Sequence, residues 1–441
     1  MKRLLAVSAC WAFAGCGDET VSYNGCRFPA PDPGGCSLDE QKAYVEGVMR
    51  AHYFFEDQLA DIDRSEHEDL SSLLRALTAE VEPPDRFTFV TTVSSEQSFF
   101  VEGKSLGFGF SLVTDDAGQI RIREVFGSEP GESASPASAV GLRRGDTIIG
   151  VDGESVAELR ETGRLNQALF DYEPEDVARF EVDTGTQIRS VELEYDFFVL
   201  DPVPTFAVFQ EGGMRIGYVL VRNFSQPTVL GLFQAFARLR TVDALVLDLR
   251  YNGGGLITAA ETLAELIGGT QLVGRIFYES RFNERNQSCG DTVQFRAQNL
   301  GLAAPVPIVA IATGRTASAS ELVINGLRAH TPVDIVGSRS FGKPVGQLGF
   351  SFCEKVLRPT TFQLVNAEGE GDFFDGLAPS CEMADDLEHV LGDPNEAMLR
   401  ASLDLLTGGG CLSDKSSVES KQMRPLEDPR GSKVPFQGWI R

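Results

Sequence analysis

Histidine is scarce in this chain: His52, His67, His330 and His389 are the four in 441 residues. No two have the H-x-x-x-H spacing that sets paired imidazoles on one helical face, and the eight cysteines contain no C-x-x-C, so no metal or cofactor is expected. Positive charge is also short, with 39 Lys and Arg against 64 Asp and Glu and a formal net charge of -25. Phosphate binding needs clustered cations, and the average field here has the wrong sign, which excludes nucleic acid as the expected partner. Long apolar runs are missing too. The stretch from Leu4 in "MKRLLAVSACWAFAGC" runs for about a dozen residues, short of the ~20 that a membrane-spanning helix needs. The glycine-rich "YNGGGL" lacks the G-K-[ST] ending of a phosphate loop, which argues against a nucleotide.

The chain does have a charged start, Lys2 and Arg3, then the short apolar run, then small residues: a signal-peptide layout over residues 1–15. Phe13-Ala-Gly-Cys16 resembles a bacterial lipobox, with Phe13 where leucine is usual. It implies lipidation of Cys16 and a lipid anchor to a membrane of the bacterial envelope, on the periplasmic side or at the outer membrane; a plain secretory signal is the alternative. Export leaves Cys26, Cys36, Cys289, Cys353, Cys381 and Cys411, an even set that suits disulfides. Proximity suggests Cys26 with Cys36 and pairing of the other four within the C-terminal domain.

A hydrophobic share of 42% supports several cores in a chain of this length. Residues 16–36, with "FPAPDPGG", are expected to be a linker, because proline and glycine prevent regular structure. Residues 37–100 open with a Ser37-x-x-Glu40 capping box and carry two helical apolar patterns up to Pro83-Pro84, followed by a strand near Phe87 to Thr92. In residues 101–197, Gly107-Phe108-Gly109-Phe110 precedes "GLRRGDTIIGVDGESV", and the two together resemble a PDZ domain. The glycines let successive N–H groups converge on an anion, and an extended peptide can add as a strand with its terminal carboxylate there. From 198 to 412 strands and helices alternate as in a layered α/β core, and 413–441 is a polar tail.

Within that core lies "TGRTASASELV", Thr313 to Val323. Ser318-x-x-Glu321 fits a second capping box, yet a serine at a helix N-terminus also stands beside free backbone amides able to hold an oxyanion. A serine hydroxyl needs a base to become a nucleophile. His330 lies about three helical turns beyond Ser318 and cannot reach it. Lys343 is the better candidate. To act as base its ordinary pKa of about 10.4 must come down toward neutral, on the order of 4 kcal/mol, which burial can supply. Gln347 can hold the amine without giving it a counter-charge, and Glu321 should serve the cap and avoid the lysine. The N–H groups of Ala319 and of the Asn252-Gly-Gly-Gly255 turn are the oxyanion donors to expect.

These motifs together, "TASASELV", Lys343, Gln347 and "LVLDLRYNGGGL" behind a PDZ segment, resemble the carboxyl-terminal processing peptidases, or tail-specific proteases. The resemblance implies a multidomain α/β fold: a crotonase-like peptidase core with an N-terminal helical region and an inserted PDZ domain. It implies a serine endopeptidase that cuts polypeptides near apolar C-termini through an acyl-enzyme. Ser318 would be the nucleophile, Lys343 the base, Gln347 its orienting residue, and Gly254 and Ala319 the oxyanion hole, with Gly107 to Phe110 recognising the free C-terminus of the substrate. Gly253 and Pro344 depart from the residues usual in that family. An inactive relative that binds a peptide or apolar ligand is the alternative.

Overall fold

The computed structural model describes residues 20–129 and 131–411; the expected signal peptide, Cys16 and the tail from 413 lie outside the described residues. The C-terminal part is built on a six-stranded sheet, in spatial order Phe206–Glu211, Met214–Leu220, Ala244–Asp248, Ile308–Ala312, Val333–Gly337 and Cys381–Glu382. Only the first pairing is antiparallel. Runs such as "ALVL" before Asp248 and "IVAIA" are apolar throughout because both sheet faces are covered. Leu245, Leu247, Ala310 and Ile335 share a core with residues of the helices Gln226–Leu239, Ile257–Gly268 and Ala319–Arg328. Their neighbours Ala244, Val246, Val309 and Ile311 join Met398, Leu399 and Leu403 of the helix Ala397–Leu406. Three adjacent parallel strands end side by side at Asp248, Ala312 and Gly337, so the turns that follow them gather at one edge. That edge is where open α/β sheets place their ligands.

Residues 104–195 fold around a core of their own, with Ile122, Leu142, Phe180 and Leu193 at its centre. Its antiparallel sheet runs Ile188–Glu194, Val177–Asp183, Thr147–Val151, Ile120–Val125, Phe110–Thr114, which leaves the last of these at an edge. The strand Asp196–Val199, across the expected boundary at 197, pairs back with Lys104–Gly107. This unit meets the α/β core through arginines. Arg144 donates to Tyr251 Oη at 3.0 Å and to Asp385 Oδ1 at 2.7 Å. Arg222 of the core donates to Glu124 Oε1 at 2.7 Å and also pairs with Glu132.

Two expectations for the N-terminus are corrected. The described part of the expected linker, residues 20–36, is not unstructured: Thr20–Tyr23 and Cys26–Pro29 make an antiparallel hairpin that buries Phe28 completely. The proline and glycine cluster falls just after it, and one buried phenylalanine leaves no periodic signal. The expected Cys26–Cys36 bond is also wrong. Cys26 pairs with Cys289 and Cys36 with Cys353, while Cys381 pairs with Cys411. The first two staple the start of the chain across the α/β core. Tyr44, Val48, Tyr53 and Leu73 accordingly belong to the same hydrophobic cluster as Leu245 and Phe362, and Phe89–Thr92 pairs with Lys355–Arg358.

A bond closing the 317-residue separation between Cys36 and Cys353 removes much freedom from the unfolded chain. The double substitution Cys36→Ser with Cys353→Ser should cost about 2–5 kcal/mol and lower the thermal unfolding midpoint. An unchanged midpoint would show that hairpin and helices hold the N-terminus without the staple.

Candidate active site

Ser318 begins the helix Ala319–Arg328 in a conformation few side chains adopt, with φ 56° and ψ -117°. A non-glycine residue held there stores about 1–3 kcal/mol, so the surrounding contacts must enforce it. They do. Thr316 Oγ1 donates to Leu249 O at 2.8 Å, the Ala317 amide to Asn252 O at 3.0 Å, and Ser320 Oγ to the same carbonyl at 2.9 Å. The turn after the strand Ala244–Asp248 thus holds the serine's loop in place. Arg250 fixes that turn from beneath, with both terminal nitrogens on Glu396 at 2.7 Å and Nε on Asp248 at 3.0 Å, all three side chains being buried.

Gly254 has φ 102°, and a Cβ on it would stand 2.8 Å from Ser318 Cβ and 3.0 Å from Ala319 N. Only glycine lets this turn press against the serine. The predicted oxyanion donors Ala319 and Gly254 are therefore brought together with Ser318. They differ in one respect: the Gly254 N–H donates to Asn252 Oδ1 at 2.9 Å.

The lysine arrives from the third strand. After Gly337 the chain turns through Ser340, Phe341 and Gly342, and Gly342 has φ 89° with no room for a side chain, since a Cβ would sit 2.2 Å from Phe374 O. Lys343 Nζ donates to Gln347 Oε1 at 2.5 Å. Gln347 Nε2 in turn donates to Phe87 O and Arg358 O, each at 2.7 Å. Two carbonyl acceptors on Nε2 settle which way the amide faces, so Oε1 is the atom turned to the lysine. The packed surroundings of the ammonium bring its pKa down to about 8. Asp85 opposes this, Arg358 adds to it, and the pull of Glu321 is the weakest of the three.

Glu321 joins the two halves. Its Oε2 accepts from the backbone amides of Ser318 and Lys343, both at 2.8 Å. Its Oε1 accepts from the Gly342 amide at 2.7 Å and Ser340 Oγ at 2.5 Å. Four donors converge on one fully buried carboxylate, none of them the lysine ammonium. Burial raises its pKa and the donors partly offset this. The sequence reading assigned Glu321 to the cap; its link to the lysine turn was not visible there. Nor was Phe87, since nothing local marks a backbone carbonyl as a ligand for a residue 260 positions away.

The second predicted site stands apart. Phe108 is 4% exposed and packs on Phe180 and Tyr195 at ring distances of 4.9 and 5.1 Å, so it fills the core of its unit. Gly107, Gly109 and Phe110 line, with Leu169, Phe170 and Phe198, a cavity of about 30 Å³. That holds about one water.

A PDZ unit set before an α/β core, with a serine, a lysine and a glycine turn at the carboxyl ends of its strands, defines a class of chain that the comparisons specify. Residues 215–383 match the family model for peptidase family S41, and 97–166 that for the PDZ domain. The chain is 26% identical over 294 residues to the carboxyl-terminal-processing protease of a Synechocystis species, across 65% of this chain and 66% of that one. It is 24% identical over 330 residues to the protein of the same name in a Picosynechococcus species, across 72% and 74%. It spans 52% of the C-terminal processing peptidase of Tetradesmus obliquus, so it covers roughly half to two-thirds of the first relatives it matches. A putative S41 protease of Bacteroides fragilis superposes with a TM-score of 0.65 at 22% identity, over 83% of this chain and 97% of that one, a likeness of fold. Residues 215–383 are thus matched to peptidase family S41, and the chain is similar to carboxyl-terminal processing proteases.

Glu321→Gln should loosen both loops at once, because an amide nitrogen would face N–H donors where a carboxylate oxygen accepted them. We expect a stability loss of about 1–3 kcal/mol and a clear drop in labelling of Ser318 by a serine-directed reagent. Labelling at the parent rate would show that the two loops hold their places without it.

Proposed function

We propose that this chain is an exported serine endopeptidase working through a Ser318–Lys343 dyad on a crotonase-like core. The observation that carries this reading is the lysine, held by an uncharged acceptor, Gln347, with a pKa lowered to about 8, in a turn whose backbone shares Glu321 Oε2 with the amide of Ser318. The neutral amine of Lys343 takes the hydroxyl proton as Ser318 Oγ bonds to a peptide carbonyl carbon. Ala319 N–H faces the oxyanion, and the Gly254 amide joins it by leaving Asn252 Oδ1. Collapse breaks the C–N bond, and the protonated lysine returns its proton to the departing amine. Water, deprotonated by the same lysine, then opens the acyl-enzyme, releasing a carboxylic acid and restoring the serine hydroxyl.

The substrate class in this reading is a polypeptide with a free, apolar C-terminus. The open edge of the strand Phe110–Thr114 can accept it as an added strand, with its carboxylate at the Gly107–Gly109 turn. The 30 Å³ cavity must widen for an apolar side chain to enter. Cys16 carries a lipid that anchors the enzyme to the envelope. A second reading, a peptide-binding relative that does not cut, draws on the engaged Gly254 amide.

Cleavage of an unfolded protein with an apolar C-terminus decides between them. Ser318→Ala and Lys343→Ala should each abolish it while remaining folded. Because the base form is neutral, the rate of the parent should rise with pH through about 8, the value to which burial lowers the lysine. A flat profile from pH 6 to 9 would remove Lys343 as base, and absence of cleavage in the parent would favour the binding reading.

A further inference from the structure

Residues 85–88 lie outside both matched stretches, 97–166 and 215–383, yet they form one side of the lysine site. Arg86 Nη2 donates to Phe341 O at 2.7 Å and Phe374 O at 2.8 Å, with Gly342 O at 3.5 Å. Its guanidinium carbon stands 4.3 Å from the Phe341 ring centroid. The turn that delivers Lys343 is thus held by one side chain from the N-terminal region. Its other end is tied to the serine's loop, since the Phe341 amide donates to Thr316 O at 2.9 Å.

Asp85 shapes the neighbouring backbone. Its Oδ1 accepts from the Phe87 and Thr88 amides at 2.8 and 3.1 Å, and its Oδ2 from Tyr53 Oη at 2.8 Å and Thr88 Oγ1 at 2.5 Å. The result is a turn that aims Phe87 O at Gln347 Nε2. The Phe87 ring lies under the lysine, 5.8 Å from Nζ to its centroid. Arg86 thus contacts the lysine turn, and Phe87 contacts both the lysine amine and the glutamine amide.

We propose that Arg86 and Asp85 are positioning residues for Lys343: Arg86 pins the turn that carries it, and Asp85 fixes the backbone that orients Gln347. The inference rests on Lys343 acting as the base. The guanidinium suits the task because the two N–H bonds of its Nη2 meet carbonyls from two segments, Phe341 and Phe374, while the group itself lies over the Phe341 ring, a contact a compact ammonium makes less well. Misplacing a base by about 1 Å costs on the order of 100-fold in rate, so loss of the clamp should act on turnover more than on substrate binding.

The test is steady-state cleavage by the full chain carrying Arg86→Met, with Arg86→Lys and Lys343→Ala beside it, each with a thermal melt. Arg86→Met should lower kcat by about 10- to 100-fold with KM within about twofold and a melting point near that of the parent. Arg86→Lys should recover part of the loss. If Lys343→Ala is inactive while Arg86→Met turns over at the parent rate, the positioning role fails and the lysine base stands. If Lys343→Ala stays active, the base reading fails and takes this inference with it. A Arg86→Met chain that loses kcat and melting point together, with neither restored by Arg86→Lys, would make Arg86 a residue of stability alone and overturn the proposal.

Discussion

One buried carboxylate, that of Glu321, sets the geometry on which the rest of the site depends. The serine loop and the lysine turn leave different strands of the sheet and have no covalent reason to meet. A single oxygen accepting both backbone amides makes their separation a matter of two hydrogen bonds, each 2.8 Å long. The second oxygen does the same for Gly342 and Ser340. Three of its donors are backbone amides, so its bonds are spent on position. The ammonium of Lys343 is left to an uncharged partner. A carboxylate can therefore sit beside a lysine without forming its salt bridge.

The lysine's own balance follows from the same arrangement. Burial works against its charge, Arg358 adds to that, and Asp85 and Glu321 pull back. Arg358 is itself held by Glu96 through two contacts of 2.7 and 2.8 Å, which keeps a cation near the lysine without opening a path for a carboxylate to reach it. Asp85 is similarly occupied, with Tyr53, Thr88 and two backbone amides filling its oxygens. Both neighbouring acids are saturated by other donors.

Much of this was legible in the sequence, and for a physical reason. The strands Ala244–Asp248, Ile308–Ala312 and Val333–Gly337 are short apolar runs ended by small or turn-forming residues, and each reads locally. Ser318, Lys343 and Gln347 stand out because they follow such strands at fixed offsets. The resemblance to a known family then gave them roles. What could not be read is long-range and built from common parts. Cys26 meets Cys289 and Cys36 meets Cys353 across separations of 263 and 317, and the nearest cysteine in sequence misled. Phe28 is one apolar residue in a proline-rich stretch. Arg86 and Phe87 act through carbonyl groups, theirs or their neighbours', and a carbonyl has no letter in the sequence.

The stapled N-terminus has a kinetic meaning. Two disulfides and a strand pairing join the first hundred residues to segments laid down some 250 residues later, and that early stretch supplies the floor of the lysine site through Phe87. Contacts of such high sequence separation form slowly, after local helices and hairpins. A chain emerging from synthesis can fold its PDZ unit from residues close in sequence, but not the surroundings of Lys343. The surroundings of Lys343 are thus among the last parts of the molecule to assemble, and under the proposed function an unfinished copy lacks its base.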